Sequence, residues 1–417
     1  MISTTIDPRS SLERTTLELD APPLPEAPVT RPARKPTLPA LTGIRTLLAF
    51  NIVLFHFTPP HLGPLRPFVE NGFVFVNVFF LISGYILTYN YSDRGASLDK
   101  REFWLARFSR LYPVYLLVLI ISMKMVQLEW QARPPGQFWT GMILTPLLLQ
   151  GLSPTLATFW NTVAWTLSAE LVLYAAFPWL IRIPWPRKPS RLIFLILLFW
   201  IGNMIPAQLY LHLNPSHLPT PITRYSSSTM LRFLKYTPLP YACTFLAGIA
   251  LARLQLVTSI TQRQRFAISA AALAALGIFF YRISPHVPYL VMHGGLLLPL
   301  FASMIFGLSG PHPISSIFAW KPILLIGESS YCLYLLHFNV YILLHLYRIP
   351  ERLHVAAFDP WISYAFIIVL ALLVYRFYEN PARKAILQRF SRKQRRAVSA
   401  ETLKENSFAV ARGFRSN

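Results

Sequence analysis

Acidic residues and cysteines are both scarce in this chain of 417 residues. Asp and Glu number 17 against 39 Lys and Arg, and charged residues of either sign make up 13% of the chain. A soluble domain carries roughly 25% charged residues, so the composition argues against a soluble protein. The two cysteines, Cys243 and Cys332, both fall in apolar stretches. They are too few for a disulfide scaffold and are expected to be small buried side chains.

Several sequence motifs that carry known chemistry are also absent. The chain contains no HExxH zinc motif, no GxSxG nucleophile elbow, no P-loop and no dinucleotide fingerprint, and no metal site is predicted. It has no zinc-finger spacing and no basic stripe interleaved with aromatics, so the net charge of +22 does not predict nucleic-acid binding. Membrane proteins concentrate basic residues in cytoplasmic loops and tails, which explains the charge better.

Long apolar runs dominate the chain, in which 54% of residues are hydrophobic. A run of about 18 residues or more is long enough to cross a hydrocarbon core of roughly 30 Å. We predict an all-α, polytopic transmembrane bundle of about ten spans, at 39–58, 72–91, 111–128, 160–181, 191–211, 239–257, 266–283, 289–308, 322–346 and 361–378. The segment 138–152 is short and contains Pro146, so it is predicted either to re-enter the membrane or to span it.

The distribution of positive charge predicts the orientation. When 138–152 does not span, most of the 39 basic residues fall on one side, which favours ten spans with both termini in the cytoplasm. Residues 1–37 are rich in Pro, Thr and charge, and are predicted to be a disordered cytoplasmic tail. They contain no apolar signal-peptide core. Residues 38–381 form the predicted membrane domain, Pro381 is predicted to end the last helix, and 382–417 form a basic cytoplasmic tail.

Two ionisable residues in the first span indicate function. Arg45 and His56 are eleven positions apart, so they share one helix face at a separation of roughly 16 Å along the axis. Burying such a charge in a bilayer costs roughly 2.5–3.5 kcal/mol, which makes each a candidate functional residue. Arg45 as an interfacial anchor and His56 as a packing contact are the structural alternatives. Histidine is the best candidate for a base at near-neutral pH.

Two further arginines precede the third span. Arg107 and Arg110 are three residues apart on one helical face, where their guanidiniums provide a fork for phosphate oxygens of a nucleotide-bearing cofactor. Anchoring on the cytoplasmic side would place arginines here as well. In the second span, the Ser83-Gly84 pair predicts close helix packing.

A carboxylate and a polar stripe complete the candidate site. Glu170 lies in the fourth span and is predicted to pair with His56, as the acid does in catalytic triads, or to form a structural salt bridge. Tyr331, Tyr334 and His337 follow one another at i+3 steps on an apolar helix. They are predicted to line an acceptor site or to hydrogen-bond to neighbouring helices.

Six segments, in order over residues 37–385, resemble membrane acyltransferase family 3, a group of mainly bacterial O-acyltransferases acting on glycans and small molecules. They are LPALTGIRTLLAFNIVLFHF, VNVFFLISGYIL, FWLARFSRLYPVYLL, WNTVAWTLSAELVLY, IGESSYCLYLLHF and YRFYENPAR. Where members often have Gly and Val, this chain has Phe75 and Asn77. The resemblance is to the stand-alone form, without the appended periplasmic hydrolase-like domain that some members carry.

The resemblance implies roles for these residues. Arg45 and His56 match the family's first-span Arg/His motif, Arg107 and Arg110 match its paired-Arg motif, and Glu170 matches its acidic residue. In that family the His is taken as essential for transfer and the arginines as acyl-CoA contacts.

From this resemblance we expect a multi-pass protein of the bacterial inner membrane. It would move an acyl group, acetyl by default, from cytoplasmic acyl-CoA to a hydroxyl of a cell-surface or exported glycan. The expected partners are membrane lipid, acyl-CoA and the hydroxyl acceptor. Two alternatives are an acyltransferase for a lipid, peptide or small-molecule acceptor, and a secondary transporter that uses the intramembrane charges as a pathway.

Overall fold

The computed structural model describes residues 35–390, and within this range the secondary structure is helical, without β-strands. The all-α prediction is confirmed for this part of the chain. The predicted tails fall almost entirely outside the described residues: of 1–37 only the last three are described, and of 382–417 only the first nine.

In the first half of the chain, short helices lie between long ones, singly or in pairs. The helices are α1 (Pro39–His56), α2 (Arg66–Glu70), α3 (Phe75–Tyr91), α4 (Lys100–Ile121), α5 (Met123–Ala132), α6 (Pro135–Leu144), α7 (Trp165–Leu180) and α8 (Pro189–Leu213).

The second half also contains both long and short helices. Its helices are α9 (Thr229–Tyr236), α10 (Ala242–Val257), α11 (Gln262–Ile278), α12 (Tyr289–His293), α13 (Leu298–Leu308), α14 (Pro313–Phe318), α15 (Lys321–Glu328), α16 (Ser330–Leu346), α17 (Ile349–Arg352) and α18 (Trp361–Val374). Two π-helical turns, Phe279–Ile283 and Tyr375–Glu379, extend α11 and α18.

Helical segments occupy all ten predicted positions, but they do not confirm a count of ten spans. Eight described helices are long and apolar enough to cross a membrane, and the count is nine if α15 and α16, bent by 62° at their break, are taken as one span. The predicted span 160–181 contains α7, which has only 16 residues. Segment 138–152 holds the end of α6 and a single 3-10 turn, so it is not a candidate span.

Helix α7 is shorter than predicted because the residues before it bind to α16. Trp160 has φ +63°, in the left-handed region, and its carbonyl accepts a hydrogen bond from Asn339 Nδ2 at 3.0 Å. Asn161 Nδ2 donates to the carbonyl of Leu335 at 3.2 Å. These buried bonds satisfy backbone groups that a helix would otherwise pair, so the chain becomes helical only at Trp165.

Helix α4 begins eleven residues before the predicted start of the third span. The Asp99 side chain caps it, accepting hydrogen bonds from the backbone N–H of Arg101 at 2.8 Å and of Glu102 at 3.3 Å. Arg107 and Arg110 therefore lie inside this long helix, and not in a loop before it.

Helices α3 and α10 cross at glycine contacts. A Cβ at Gly84 would lie 2.2 Å from the Phe245 carbonyl oxygen, and a Cβ at Gly248 would lie 2.2 Å from that of Leu81. The close packing predicted from Ser83-Gly84 is therefore confirmed for the glycine. This crossing fixes α3 against α10, and α3 also carries Phe79 and Ser83, which line a cavity described below.

The backbone between α12 and α13 is broken inside an apolar span, and asparagines satisfy its carbonyls. Asn77 Nδ2 donates to the His293 carbonyl at 3.0 Å, and Asn203 Nδ2 donates to the Gly294 carbonyl at 2.7 Å. Gly295, with φ +87°, makes the turn. The polar residue at position 77 is thus paired with this break, which explains an Asn on an otherwise apolar helix.

The prediction that Pro381 ends the last helix is wrong. The helix that starts at Trp361 continues through Pro381 to Phe390. The π-helical turn Tyr375–Glu379 ends two residues before the proline. A wider turn of this kind gives the proline ring room that a regular α-helix lacks, so the helix continues past the proline.

Candidate active site

The three predicted arginines meet around one small cavity. This arginine cavity, of about 80 Å³, is lined by Arg45 from α1 and by Arg107 and Arg110 from α4, with Glu170 and Tyr331 on the opposite walls. The Nε atoms of Arg45 and Arg107 are buried and have no hydrogen-bond partner among the described residues. Unpaired buried guanidinium donors of this kind favour an anion, which a phosphate group would supply.

Glu170 belongs to the arginine cavity and not to His56. Its Oε1 accepts a hydrogen bond from Ser83 Oγ at 2.5 Å and another from Tyr174 OH at 2.8 Å. In the part of the chain that the structure describes, neither a hydrogen bond nor an ion pair joins Glu170 to His56. The structure thus does not bring these two residues together, because α7 places Glu170 at the arginine cavity, beside Arg45 of α1.

A second, smaller cavity adjoins the first and leads towards His56. This connecting cavity, of about 60 Å³, shares Arg45, Phe79, Glu170 and Tyr331 with the arginine cavity. At its other end, Tyr334 also lines the next cavity along the bundle. The arginines and the histidine are thus joined by a row of cavities whose walls are shared.

His56 lines the third and largest cavity of the row. This histidine cavity, of about 270 Å³, is rich in aromatic side chains and has Arg224 in its wall. Its aromatic residues are Phe55, Phe73, Trp165, Tyr225, Tyr236, Tyr289 and Tyr334, with His56 and His293 among them. The separation of Arg45 and His56 that the sequence predicted, roughly 16 Å along α1, places them at the two ends of this row.

A second histidine lies against the first. The rings of His56 and His337 have centroids 5.3 Å apart, and the ring of Phe338 packs on the His56 edge at 5.1 Å. His337 Nδ1 donates to the Tyr334 carbonyl at 2.7 Å, so its proton is on Nδ1. The remaining nitrogen, Nε2, is buried with no hydrogen-bond partner among the described residues. The bond from Nδ1 to its own helix therefore holds the His337 ring in one orientation beside His56.

The predicted stripe of Tyr331, Tyr334 and His337 does not form one acceptor site. Tyr331 OH donates to the Leu111 carbonyl at 2.5 Å and its ring lines the arginine cavity. Tyr334 lies between the connecting and histidine cavities, and His337 contacts His56. Residues three apart on α16 lie at successive levels along the row of cavities. The three side chains therefore line or contact three different parts of the row.

Three residues that the sequence did not indicate, Arg224, Tyr289 and His293, line the histidine cavity from elements far along the chain. Arg224 lies in residues 214–238, which we call the cover segment. Its Arg232 holds the loop before α7, with Nε donating to the Pro154 carbonyl at 2.7 Å and a terminal nitrogen donating to Thr158 Oγ1 at 3.0 Å. The hydropathy pattern predicts that this segment lies between spans, but it does not predict that the segment folds over the cavity.

Comparison with known proteins decides the family. A family profile described as "Acyltransferase domain" matches residues 38–375, which is most of the chain. The chain belongs to acyltransferase family 3. The resemblance predicted from the six segments is confirmed, and the chain carries an acyltransferase domain embedded in the membrane.

Named relatives agree with this family. O-acetyltransferase OatA of Staphylococcus aureus is 26% identical over 387 residues, covering 85% of this chain and 58% of the relative. Peptidoglycan O-acetyltransferase OatA of Listeria monocytogenes is 24% identical over 393 residues, covering 85% and 57%. Acyltransferase MdmB of Streptomyces mycarofaciens is 32% identical over 157 residues, covering 35% and 40%. The matches thus span between two fifths and three fifths of these curated relatives. No solved structure matches the chain.

Proposed function

We propose that this protein is an O-acyltransferase of the bacterial inner membrane. It moves an acyl group, acetyl by default, from cytoplasmic acyl-CoA to a hydroxyl of a cell-surface or exported glycan, and both termini lie in the cytoplasm. The observation that carries the proposal is the row of adjoining cavities with arginines at one end and His56 at the other.

The arginine cavity is the proposed donor site. Three guanidiniums surround it, and the Nε atoms of two of them are buried without a hydrogen-bond partner among the described residues. Such donors suit the phosphate oxygens of acyl-CoA. Glu170, held by Ser83 and Tyr174, offsets part of the positive charge at this cavity. We therefore reassign Glu170 from a partner of His56 to a positioning residue for the donor-binding arginines.

His56 is the proposed general base. It removes the proton from the acceptor hydroxyl while that oxygen bonds to the acyl carbon, and the carbon–sulfur bond then breaks to release the thiol with a proton. His337 holds the His56 ring in place. General-base assistance is typically worth about 10²–10⁴-fold in rate, which sets the loss expected when His56 is removed.

The histidine cavity is the proposed acceptor site. Its tyrosines combine flat apolar faces with hydroxyl groups, which suits a sugar ring that carries both apolar faces and hydroxyls. Two relatives are named as O-acetyltransferases, one of them of peptidoglycan, and this supports a glycan as the acceptor and acetyl as the group.

The test uses purified protein in lipid nanodiscs and in sealed vesicles, with acetyl-CoA labelled in the acetyl group. The proposal predicts that label passes to the hydroxyl of a short oligosaccharide in nanodiscs, where no compartment exists. Label that moves across the vesicle membrane without forming an ester would instead identify a transporter. Transfer to a lipid or peptide hydroxyl, and not to any oligosaccharide, would reject the glycan as acceptor while retaining the enzyme class.

A further inference from the structure

Arg224 is the only cation among the described residues that line the histidine cavity. Its guanidinium carbon lies 5.0 Å from the centre of the Phe55 ring, and that ring contacts His56 with centroids 5.3 Å apart. Arg224 also lines a neighbouring open cavity of about 520 Å³, here called the vestibule. Arg224 thus lies at the boundary between the vestibule and the histidine cavity, which His56 lines.

The backbone that carries Arg224 is fixed by a buried lysine. Lys235 on α9 is 3% exposed, and its Nζ donates to the carbonyls of Arg224 at 2.9 Å and of Ser226 at 3.4 Å. Ser226 Oγ accepts from the N–H of Thr223 at 3.0 Å, which closes the same turn. A buried ammonium needs such partners, and here they position the turn that directs Arg224.

No carboxylate in the described part of the chain forms an ion pair with Arg224. Among the described residues lining the vestibule and the histidine cavity, Glu70 is the only acid, and it pairs with the exposed Arg66 at 2.7 Å. The side-chain hydrogen bond of Arg224 goes to the hydroxyl of Tyr225 at 2.5 Å. Arg224 lines both cavities, and a guanidinium beside aromatic walls that has no carboxylate partner among the described residues favours a carboxylate or phosphate.

We propose that Arg224 is a specificity residue that binds an anionic group, a carboxylate or a phosphate, on the acceptor whose hydroxyl reaches His56. This inference rests on the proposed function, because it takes the histidine cavity as the acceptor site. The acceptors favoured would be acidic glycans or phosphorylated saccharides, and neutral saccharides would bind less well.

The test compares three acceptors that differ in one group: a methyl glucuronide, its neutral methyl ester, and methyl glucoside 6-phosphate. Binding is measured in nanodiscs without acyl-CoA, and transfer is then measured with acetyl-CoA. The proteins are wild type, Arg224→Gln, Arg224→Lys and Arg66→Gln. The last removes the same charge from the rim of the vestibule, outside both cavities, and is the matched control.

Wild type should bind and acetylate one of the two anions better than the ester by about 10- to 100-fold, the range of a charge-assisted hydrogen-bonded pair. Arg224→Gln should abolish the preference and Arg66→Gln should keep it. If wild type prefers the carboxylate and Arg224→Lys loses most of that preference, the contact is bidentate. If wild type prefers the phosphate, the favoured acceptor is a phosphorylated saccharide. Because each preference is a ratio within one protein, partial misfolding cancels.

Two results would overturn the inference: equal binding of acid, phosphate and ester by wild type, or a preference that survives Arg224→Gln. Failure of the proposed function is a separate result, because it would abolish transfer to every acceptor while the binding measurement still reports on Arg224.

Discussion

Two histidines on different helices lie in contact, and their surroundings give them different roles. His56 is half-buried and lines the histidine cavity, whereas His337 is fully buried and bonded to its own helix backbone. Only His56 can therefore reach an acceptor. His337 contacts the His56 ring and restricts its orientation, and so we assign it as a positioning residue.

Removing His337 should lower kcat and leave the KM for acyl-CoA nearly unchanged. The change frees the His56 ring, and a misplacement of about 1 Å can cost roughly 10²-fold in rate. The arginine cavity is one cavity further away, so donor binding should not change. The measurement is steady-state acyl transfer by His337→Ala, with kcat expressed per folded molecule.

His312→Ala is the matched control, because His312 is also buried but lies outside the row of cavities, bonded to Ser269 at 3.2 Å. It should reduce thermal stability without reducing kcat per folded molecule. If His337→Ala keeps a normal kcat, or changes the KM for acyl-CoA alone, the assigned role is contradicted.

At the scale of the helices, two contacts hold the site in shape. The glycine crossing of α3 and α10 fixes α3, which carries Ser83 to Glu170. The cover segment is fastened by Arg232 to the loop before α7 and by Lys235 to the turn at Arg224. The first contact could be predicted from a small residue in an apolar span. The second joins residues from separate connecting segments, which hydropathy and spacing do not pair.

Adding a methyl group at the crossing should destabilise the protein. In Gly84→Ala the new Cβ would lie 2.2 Å from the Phe245 carbonyl oxygen, so backbone must move, at a cost of about 1–3 kcal/mol. Gly277→Ala in α11 is the control, since no atom lies within 4 Å of its Cβ position. That change should be neutral or stabilising by up to about 1 kcal/mol. Thermal unfolding in detergent distinguishes the two, and equal melting temperatures would contradict the crossing.

The cover segment should become more stable as pH rises through the mildly alkaline range. Burial, and secondarily the nearby Arg232, lowers the pKa of Lys235 from 10.5 to about 8. Between these two values the folded protein has released the proton and the unfolded chain still holds it, so stability increases with pH. Below about pH 8 both states are charged and the effect vanishes.

Lys235→Met removes this titration and is compared with wild type. The melting temperature of wild type should rise relative to that of Lys235→Met between about pH 8 and pH 10. Subtracting the two curves cancels groups that titrate in both proteins. Parallel curves over this range would show that Lys235 keeps an ordinary pKa and is not buried in the fold.

At the scale of the whole molecule, the sequence predicted the class of fold and the family, and the comparisons confirm the family. The helix positions were predicted from the apolar runs. Arg45, Arg107 and Arg110 were grouped correctly, because helix periodicity and the preference of basic residues for one side of the membrane constrain their positions. The partner of Glu170 was not predicted. Tertiary packing decides which helices lie beside α7 and at what height along it. Arg224 was missed for a similar reason, as it approaches His56 from 168 residues further along the chain.

A matched pair of histidine variants shows most directly whether acyl transfer takes place at His56. The measurement is transfer of labelled acetyl from acetyl-CoA to an oligosaccharide hydroxyl by His56→Ala and His61→Ala, both purified as folded protein in nanodiscs. His61 is exposed and lies five residues further along the chain. If His56 is the general base, His56→Ala should lose about 10²–10⁴-fold in rate and His61→Ala should lose none. Transfer by folded His56→Ala at the wild-type rate would contradict this role.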